Sequence, residues 1–253
     1  HRSLDMEHFK FKWLIAVFCL CLAIGTYAQE KAEEENKWGG DASVGLALAR
    51  GNTETTNLSI TLSAKGPLSD AIDNTNKAYF LLNREKDITN AESMGLESQI
   101  QWKHTARFFS YYGIQGLRDR FKNYSYRLLP GLGLGYKIIT SENLQLSANT
   151  GLSQVFTKYY DSEETDSYTG LSLGNEFTWK VSATAEISQS LNLNADISEL
   201  SHYFLQIEIS LASAITKGLS VKLTMMDKYD NKPVGVDIKK NDISFIAGLS
   251  VKF

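Results

Sequence analysis

The chain has 253 residues, 43% hydrophobic and 22% charged, with a formal net charge of −3. That near-even balance excludes a nucleic-acid binder, which needs a clustered basic surplus. With 12 Phe, 12 Tyr and 4 Trp, there is too much apolar surface for a disordered chain.

The first five residues precede Met6 and read as an extension before the start of translation. From Met6 the order is a positive stretch with Lys10 and Lys12, an apolar run from Trp13 to Ile24, and a small-x-small pattern at Thr26-Tyr27-Ala28. The run falls short of the ~20 residues a membrane helix needs, so 6–28 is expected to be a secretory signal peptide cut after Ala28. Both cysteines, Cys19 and Cys21, lie inside it, so processing would leave no thiol for a disulfide, a metal or catalysis. Losing Arg2, Lys10 and Lys12 with Asp5 and Glu7 leaves 23 basic against 27 acidic side chains, a net charge of −4. Residues 29–37, QEKAEEENK, carry no period and are expected to form a flexible periplasmic leader.

From Trp38 the pattern is strand and turn throughout. Val44, Leu46 and Leu48 alternate with Ser43, Gly45, Ala47 and Ala49; Leu58, Ile60 and Leu62 alternate with Asn57, Ser59, Thr61 and Ser63. Two further segments carry Ala78, Phe80 and Leu82, then Met94, Leu96, Ile100 and Trp102. A fifth, FFSYYGIQGL, is aromatic on both faces and leaves its register open. In the sixth, Leu128, Pro130, Leu132, Leu134 and Tyr136 face away from Gly131, Gly133 and Gly135. Proline removes a ladder hydrogen bond, so a bulge, or a strand beginning after Pro130, is expected there. Six more alternating segments follow, built on Leu144 and Leu146, Leu171 and Leu173, Leu191 and Leu193, Ile207 and Ile209, Val221 and Leu223, and finally Ile243 to Phe253.

Twelve period-two segments behind a secretory leader predict an all-β fold, a transmembrane antiparallel up-and-down barrel over 38–253 with both ends in the periplasm. An edge strand of a soluble sandwich would show the same alternation, but the leader argues against it. With strands running alternately up and down, Trp38, Trp102, Tyr136 and Trp179 share the periplasmic level with Phe253, as in an interfacial aromatic girdle. The turns at that level are mostly short and those at the opposite level longer, GPLSDAIDN being the exception. The last strand, ending on Phe253, resembles the closing strand of Gram-negative outer-membrane barrels. That resemblance implies Phe253 as an assembly signal read by the barrel-assembly machinery.

Chemistry is sparse. His104 and His202, the histidines outside residues 1–28, fall at opposite ends of the predicted barrel, too far apart for a shared catalytic or metal site. Asp161, Glu163, Glu164 and Asp166 crowd one outer connection without calcium-loop spacing and read as a solvated acidic loop. GLGLG precedes no helix and reads as strand interior, not a phosphate loop. The candidate lumen-lining residues are Glu97, Lys103, Arg127, Lys137, Glu176, Lys180, Glu186, Glu208 and Lys222. These either pair across the lumen and close it or line a wet passage; the space beside the Gly131, Gly133, Gly135 row, which a Tyr or Arg could fill, tips the reading towards a plugged lumen.

GNTETTNLS, RDRFKNYSYRLLPGLGLGYKI and YDNKPVGVDIKKNDISFIAGLSVKF resemble the salt-induced outer-membrane protein family, domain-of-unknown-function family 481, from about Trp38 to Phe253. The matching positions are Gly51, Asn52 and Thr53; Asp119 and Phe121; Arg127; Gly133, Gly135 and Tyr136; and Asp242 with Phe253. The resemblance implies an uncharacterised outer-membrane barrel and an association with salt stress, and supplies no catalytic residue, metal or cofactor. The expectation is a monomeric, non-enzymatic, porin-like barrel of the Gram-negative envelope, in contact with outer-membrane lipid and lipopolysaccharide, serving envelope maintenance or minor passive flow. The alternative is an outer-membrane lipid hydrolase or acyltransferase, which would need a histidine beside a serine near membrane level.

Overall fold

The computed structural model describes residues 38–49, 55–85, 88–120, 122–161, 163, 165–233 and 240–253. The expected signal peptide and periplasmic leader lie outside them, as do Gly51, Asn52, Thr53, Phe121 and Glu164. Twelve strands follow in chain order: β1 Gly39–Ala49, β2 Thr55–Ser69, β3 Ile72–Glu85, β4 Ile88–Lys103, β5 Phe108–Asp119, β6 Tyr124–Thr140, β7 Leu144–Tyr159, β8 Thr165–Lys180, β9 Ala185–Asp196, β10 Tyr203–Ala214, β11 Leu219–Asp230 and β12 Asn241–Lys252. Each pairs antiparallel with its sequence neighbours, and β1 pairs with β12, so the sheet closes into the expected twelve-stranded barrel. Every strand has at least 11 residues, enough to cross a bilayer tilted, for which ~9–11 suffice. Among the described residues no helix is long and apolar enough to cross a membrane.

The alternating leucines point away from the barrel axis and stay exposed: Leu96 is 63% exposed and Leu132 60%. In water such a belt would be a severe liability; against lipid it is the required surface. Trp38, Trp102, Tyr136, Trp179 and Phe253 all stand exposed at the end where β1 begins and β12 ends. We call this the inner end. Phe253 joins the closure directly, exchanging backbone hydrogen bonds of 2.9 and 3.0 Å with Gly40.

The register of β5 is resolved by neighbouring glycines. Phe109 and Tyr111 point into the lumen, while Phe108, Tyr112 and Ile114 face out. A Cβ at Gly135 would stand 2.1 Å from the Phe109 ring, and one at Gly133 2.7 Å from the Tyr111 ring. The glycine row of β6 is therefore the floor on which these two aromatic rings lie.

Two expectations are corrected. GPLSDAIDN is not a long inner connection: β2 runs on through Gly66 and Pro67 to Ser69, and Asp70 and Ala71 alone make the turn. The other described inner turns are also short, 104–107, 141–143, 181–184 and 215–218. Pro130 neither starts β6 nor sits at a bulge. It pairs in register with Ile114, and the β7 ladder steps from Leu128↔Phe156 to Gly131↔Ser153 without using Leu129 or Pro130. The missing N–H therefore falls where no ladder bond is made. The register shifts lie elsewhere, between Tyr124 and Tyr126 and between Lys137 and Ile139.

Replacing Gly135 by Val should overpack the Phe109 ring and destabilise the barrel by about 1–3 kcal/mol. Urea unfolding in detergent micelles checks this; the midpoint should fall in Gly135→Val and recover in the Gly135→Val/Phe109→Ala double variant.

Candidate functional site

The lumen divides into two zones. Its inner half holds a cavity of about 440 Å³. Asp41, Lys65, Lys77, Glu97, Glu176, Glu208 and Lys222 supply the charge of its wall, and serines, threonines, asparagines and glutamines supply most of the polar rest. Four carboxylates face three ammonium groups. Lys222 Nζ lies 3.7 Å from Asp41 Oδ2, and Asp41 accepts from Ser63 Oγ at 2.5 Å and Ser43 Oγ at 3.2 Å. Lys77 and Glu97 stand directly opposite one another across β3 and β4. A second cavity of about 140 Å³ continues from Lys77, Glu97 and Glu176 towards Tyr111, Asn194 and Phe204.

The outer half is filled. Arg127, 3% exposed, donates to Tyr124 Oη at 3.1 Å and to Tyr168 Oη at 2.8 Å. Its Nη1 is 3.8 Å from Asp230 Oδ2, and Tyr124 donates to the same carboxylate. The guanidinium lies 5.1 Å from the Tyr124 ring centre and 5.2 Å from that of Phe204, close enough for cation–π attraction. Two lysines complete the plug. Lys122, from the turn between β5 and β6, points inward, donates to the Lys228 carbonyl at 3.2 Å and pairs with Asp242 at 3.4 Å. Burial pulls its pKa below the usual lysine value, opposed by Asp242 and Asp230. Asn123, in the left-handed region at φ 63°, follows it in the turn and is a residue type that tolerates that backbone. Lys228 reaches across to Tyr79 Oη at 3.1 Å and Ser93 Oγ at 3.2 Å. Strands β3, β4, β6, β8 and β11 are thus tied together across the bore by charge-assisted bonds, which are stronger than neutral ones, and β10 joins through the Phe204 ring.

The nine expected lumen residues separate accordingly. Glu97, Glu176, Glu208 and Lys222 line the inner cavity. Lys103, Lys137, Lys180 and Glu186 sit near the inner rim, where Lys103 pairs with Asp73 at 2.9 Å and Lys180 stands opposite Glu186. Arg127 belongs to the plug. Asp41, Lys65 and Lys77 were missed, although extending the alternation by two residues from Ser43 or Ser63, or by one from Ala78, places all three inside. Asp230, Lys228, Tyr124 and Tyr168 lie at strand ends that the leucine spacing did not reach. For Lys122 no signal exists, because a loop lysine is ordinarily solvated.

The histidines are at opposite ends, as expected. His104 Nε2 meets Ser110 Oγ at 2.9 Å at the inner turn. His202, in the outer connection, has Nδ1 3.9 Å from Asp196 Oδ2 and its ring 5.0 Å from that of Tyr168. The neighbouring serines do not complete a triad: Ser198 Oγ donates to Asp196 and Ser201 Oγ to Glu199. Among the described residues no cluster of three His, Cys, Asp or Glu side chains could hold a metal ion.

Closed antiparallel wall, outward leucines and aromatic rim define a β-barrel of the outer-membrane type. A solved structure titled NanC porin matches with a TM-score of 0.51 at 10% identity, covering 86% of this chain and 100% of that one. KdgM porin gives 0.46 at 10% identity over 85% and 99%, and the autotransporter NalP translocator domain from Neisseria meningitidis 0.46 at 11% over 95% and 96%. At such identities the likeness is one of fold alone. No curated protein matches the chain. The profile of the family described as protein of unknown function, DUF481, matches residues 42–253. The chain belongs to that family.

Arg127→Met should lower stability by about 3–5 kcal/mol by stranding the buried Asp230 carboxylate. Arg127→Met/Asp230→Asn should recover part of the loss, as read from urea midpoints in micelles.

Proposed function

We propose that this protein is an integral outer-membrane barrel that stands closed to axial diffusion and serves envelope maintenance under salt or osmotic stress. The observation that carries the first part is the plug: Arg127, Tyr124, Tyr168, Asp230, Lys122 and Lys228 fill the outer half in a connected set of polar contacts. An open porin leaves a water channel where these side chains stand. The exposed leucine belt and the aromatic rim support outer-membrane insertion, with lipid and lipopolysaccharide as the surroundings of a monomer. The terminal Phe253, bonded to Gly40, suits recognition by the barrel-assembly machinery before closure. The stress assignment rests on the family resemblance alone.

A second reading is a minor passive channel, and the inner cavity favours it: among the described residues the plug is what stands between that polar space and the outer face. The enzymatic alternative finds its parts separated: His202 stands beside Asp196 with its neighbouring serines donating elsewhere, and His104 meets Ser110 Oγ at 2.9 Å at the opposite end of the barrel. We read the protein as no enzyme, with no cofactor.

Planar-bilayer recording separates these readings. The wild-type barrel should be silent, and Arg127→Ala/Lys228→Ala should show discrete conductance steps. Steady wild-type steps would make it a channel. Phospholipid cleavage or acyl transfer by the wild type, abolished in His202→Ala, would make it an enzyme.

A further inference from the structure

The closing seam is paired over less than half its length. β1 and β12 match in five positions, from Asp41↔Lys252 to Gly45↔Gly248. The flanking seams, β1 with β2 and β11 with β12, are matched over eleven positions each. Beyond Gly45, residues 46–49 of β1 and 241–247 of β12 keep their other neighbours but do not pair with each other. The wall therefore parts in its outer half. The lipid-side rim of the parting is apolar: Leu46, Ile243 and Phe245 are exposed, and Phe245, at 78%, is more exposed than any other large apolar side chain described.

Unpaired backbone costs several kcal/mol per group in hydrocarbon and persists in membranes only where it is buried in protein or borders water. Water is at hand, because Gly45, Ile246 and Gly248, at the point where pairing stops, also line the 440 Å³ cavity. The cavity is shut axially by the plug above it. The unpaired edges of β1 and β12 begin at that same stretch of its wall.

We propose that this parting is a lateral port and that the cavity behind it holds the head of a zwitterionic, phosphate-bearing amphiphile whose acyl chain passes out between Leu46 and Phe245. The proposal rests on the axially closed reading above. The cavity's chemistry sets the class of head. Lys65, Lys77 and Lys222 offer ammonium groups to a phosphate, while Glu97, Glu176 and Glu208 offer carboxylates to an amine. None of these three glutamates, nor Lys77, is held in an ion pair within 4.0 Å among the described residues. No metal-binding group of three is present there either, so a bare cation is not the favoured ligand. The volume lies within the ~300–1,000 Å³ of small-molecule sites.

The test uses the full chain, with Cys19→Ser and Cys21→Ser, in lipid nanodiscs containing lysophosphatidylethanolamine spin-labelled on its chain. The unmodified seam should show a motionally restricted component above that of a spin-labelled fatty alcohol. That component should fall several-fold in Lys77→Met/Glu176→Gln. It should fall likewise when Leu46→Cys/Ala247→Cys is bridged by a reducible cross-linker, and return on reduction. A restricted component equal to the alcohol's, or indifferent to both the charge variants and the bridge, overturns the proposal. So does bridging that yields covalent dimers, which would mean that a second copy covers the edges. Conductance is read on the same preparation: wild-type current condemns the closed-barrel reading, whereas silence without lipid restriction condemns only the port.

Discussion

The structure depends on one constraint: in a bilayer core, every backbone N–H and C=O must find a partner within the protein or in enclosed water. β1 with β12 meets it through strand pairing only up to Gly45, whereas the seams on either side are paired over eleven positions each. The terminal Phe253 secures that short closure from the inner end through its exchange with Gly40. Side-chain placement follows from closure. Once the sheet is a cylinder, period-two alternation leaves leucine no place but lipid, and leaves serine, asparagine and the charges no place but the bore.

Within the bore, charge is arranged by depth. The inner cavity holds Lys77, Glu97, Glu176 and Glu208 beyond ion-pair distance of one another, with Lys222 paired to Asp41 at 3.7 Å. The plug does the reverse, excluding water and compensating each ion with a counter-charge, a phenol or an aromatic face. Removing one member of such a cluster is expensive because the others stay buried. That coupling makes the plug a unit, and on the closed reading proposed above the cavity is reached from the inner end.

Much of this was legible in the amino-acid pattern. Leu128, Leu132 and Leu134 against Gly131, Gly133 and Gly135 announce a strand and its faces, and the same logic placed Glu97, Glu176, Glu208 and Lys222 inside. Alternation reports which face a residue occupies, but not how far a strand slides along its neighbour. The incomplete β1–β12 pairing was therefore invisible. Strand five stayed ambiguous for a different reason: Phe108, Phe109, Tyr111 and Tyr112 are apolar on both faces, and only the hollow over the β6 glycines decides which rings go inside. Lys122 was beyond reach, because its burial depends on the Lys228 carbonyl, Asp242 and the Phe204 ring, all distant in sequence.

The central claim is that the polar cavity opens at the inner end, where β1 begins and β12 ends, and is sealed from the opposite end. A single thiol at Ser190→Cys, in a chain carrying Cys19→Ser and Cys21→Ser, reports on it directly, since Ser190 lines the cavity. Treated with a membrane-impermeant charged maleimide, intact cells should leave this thiol unlabelled, and cells with a permeabilised outer membrane should label it fully. Rapid labelling from outside intact cells would contradict the account.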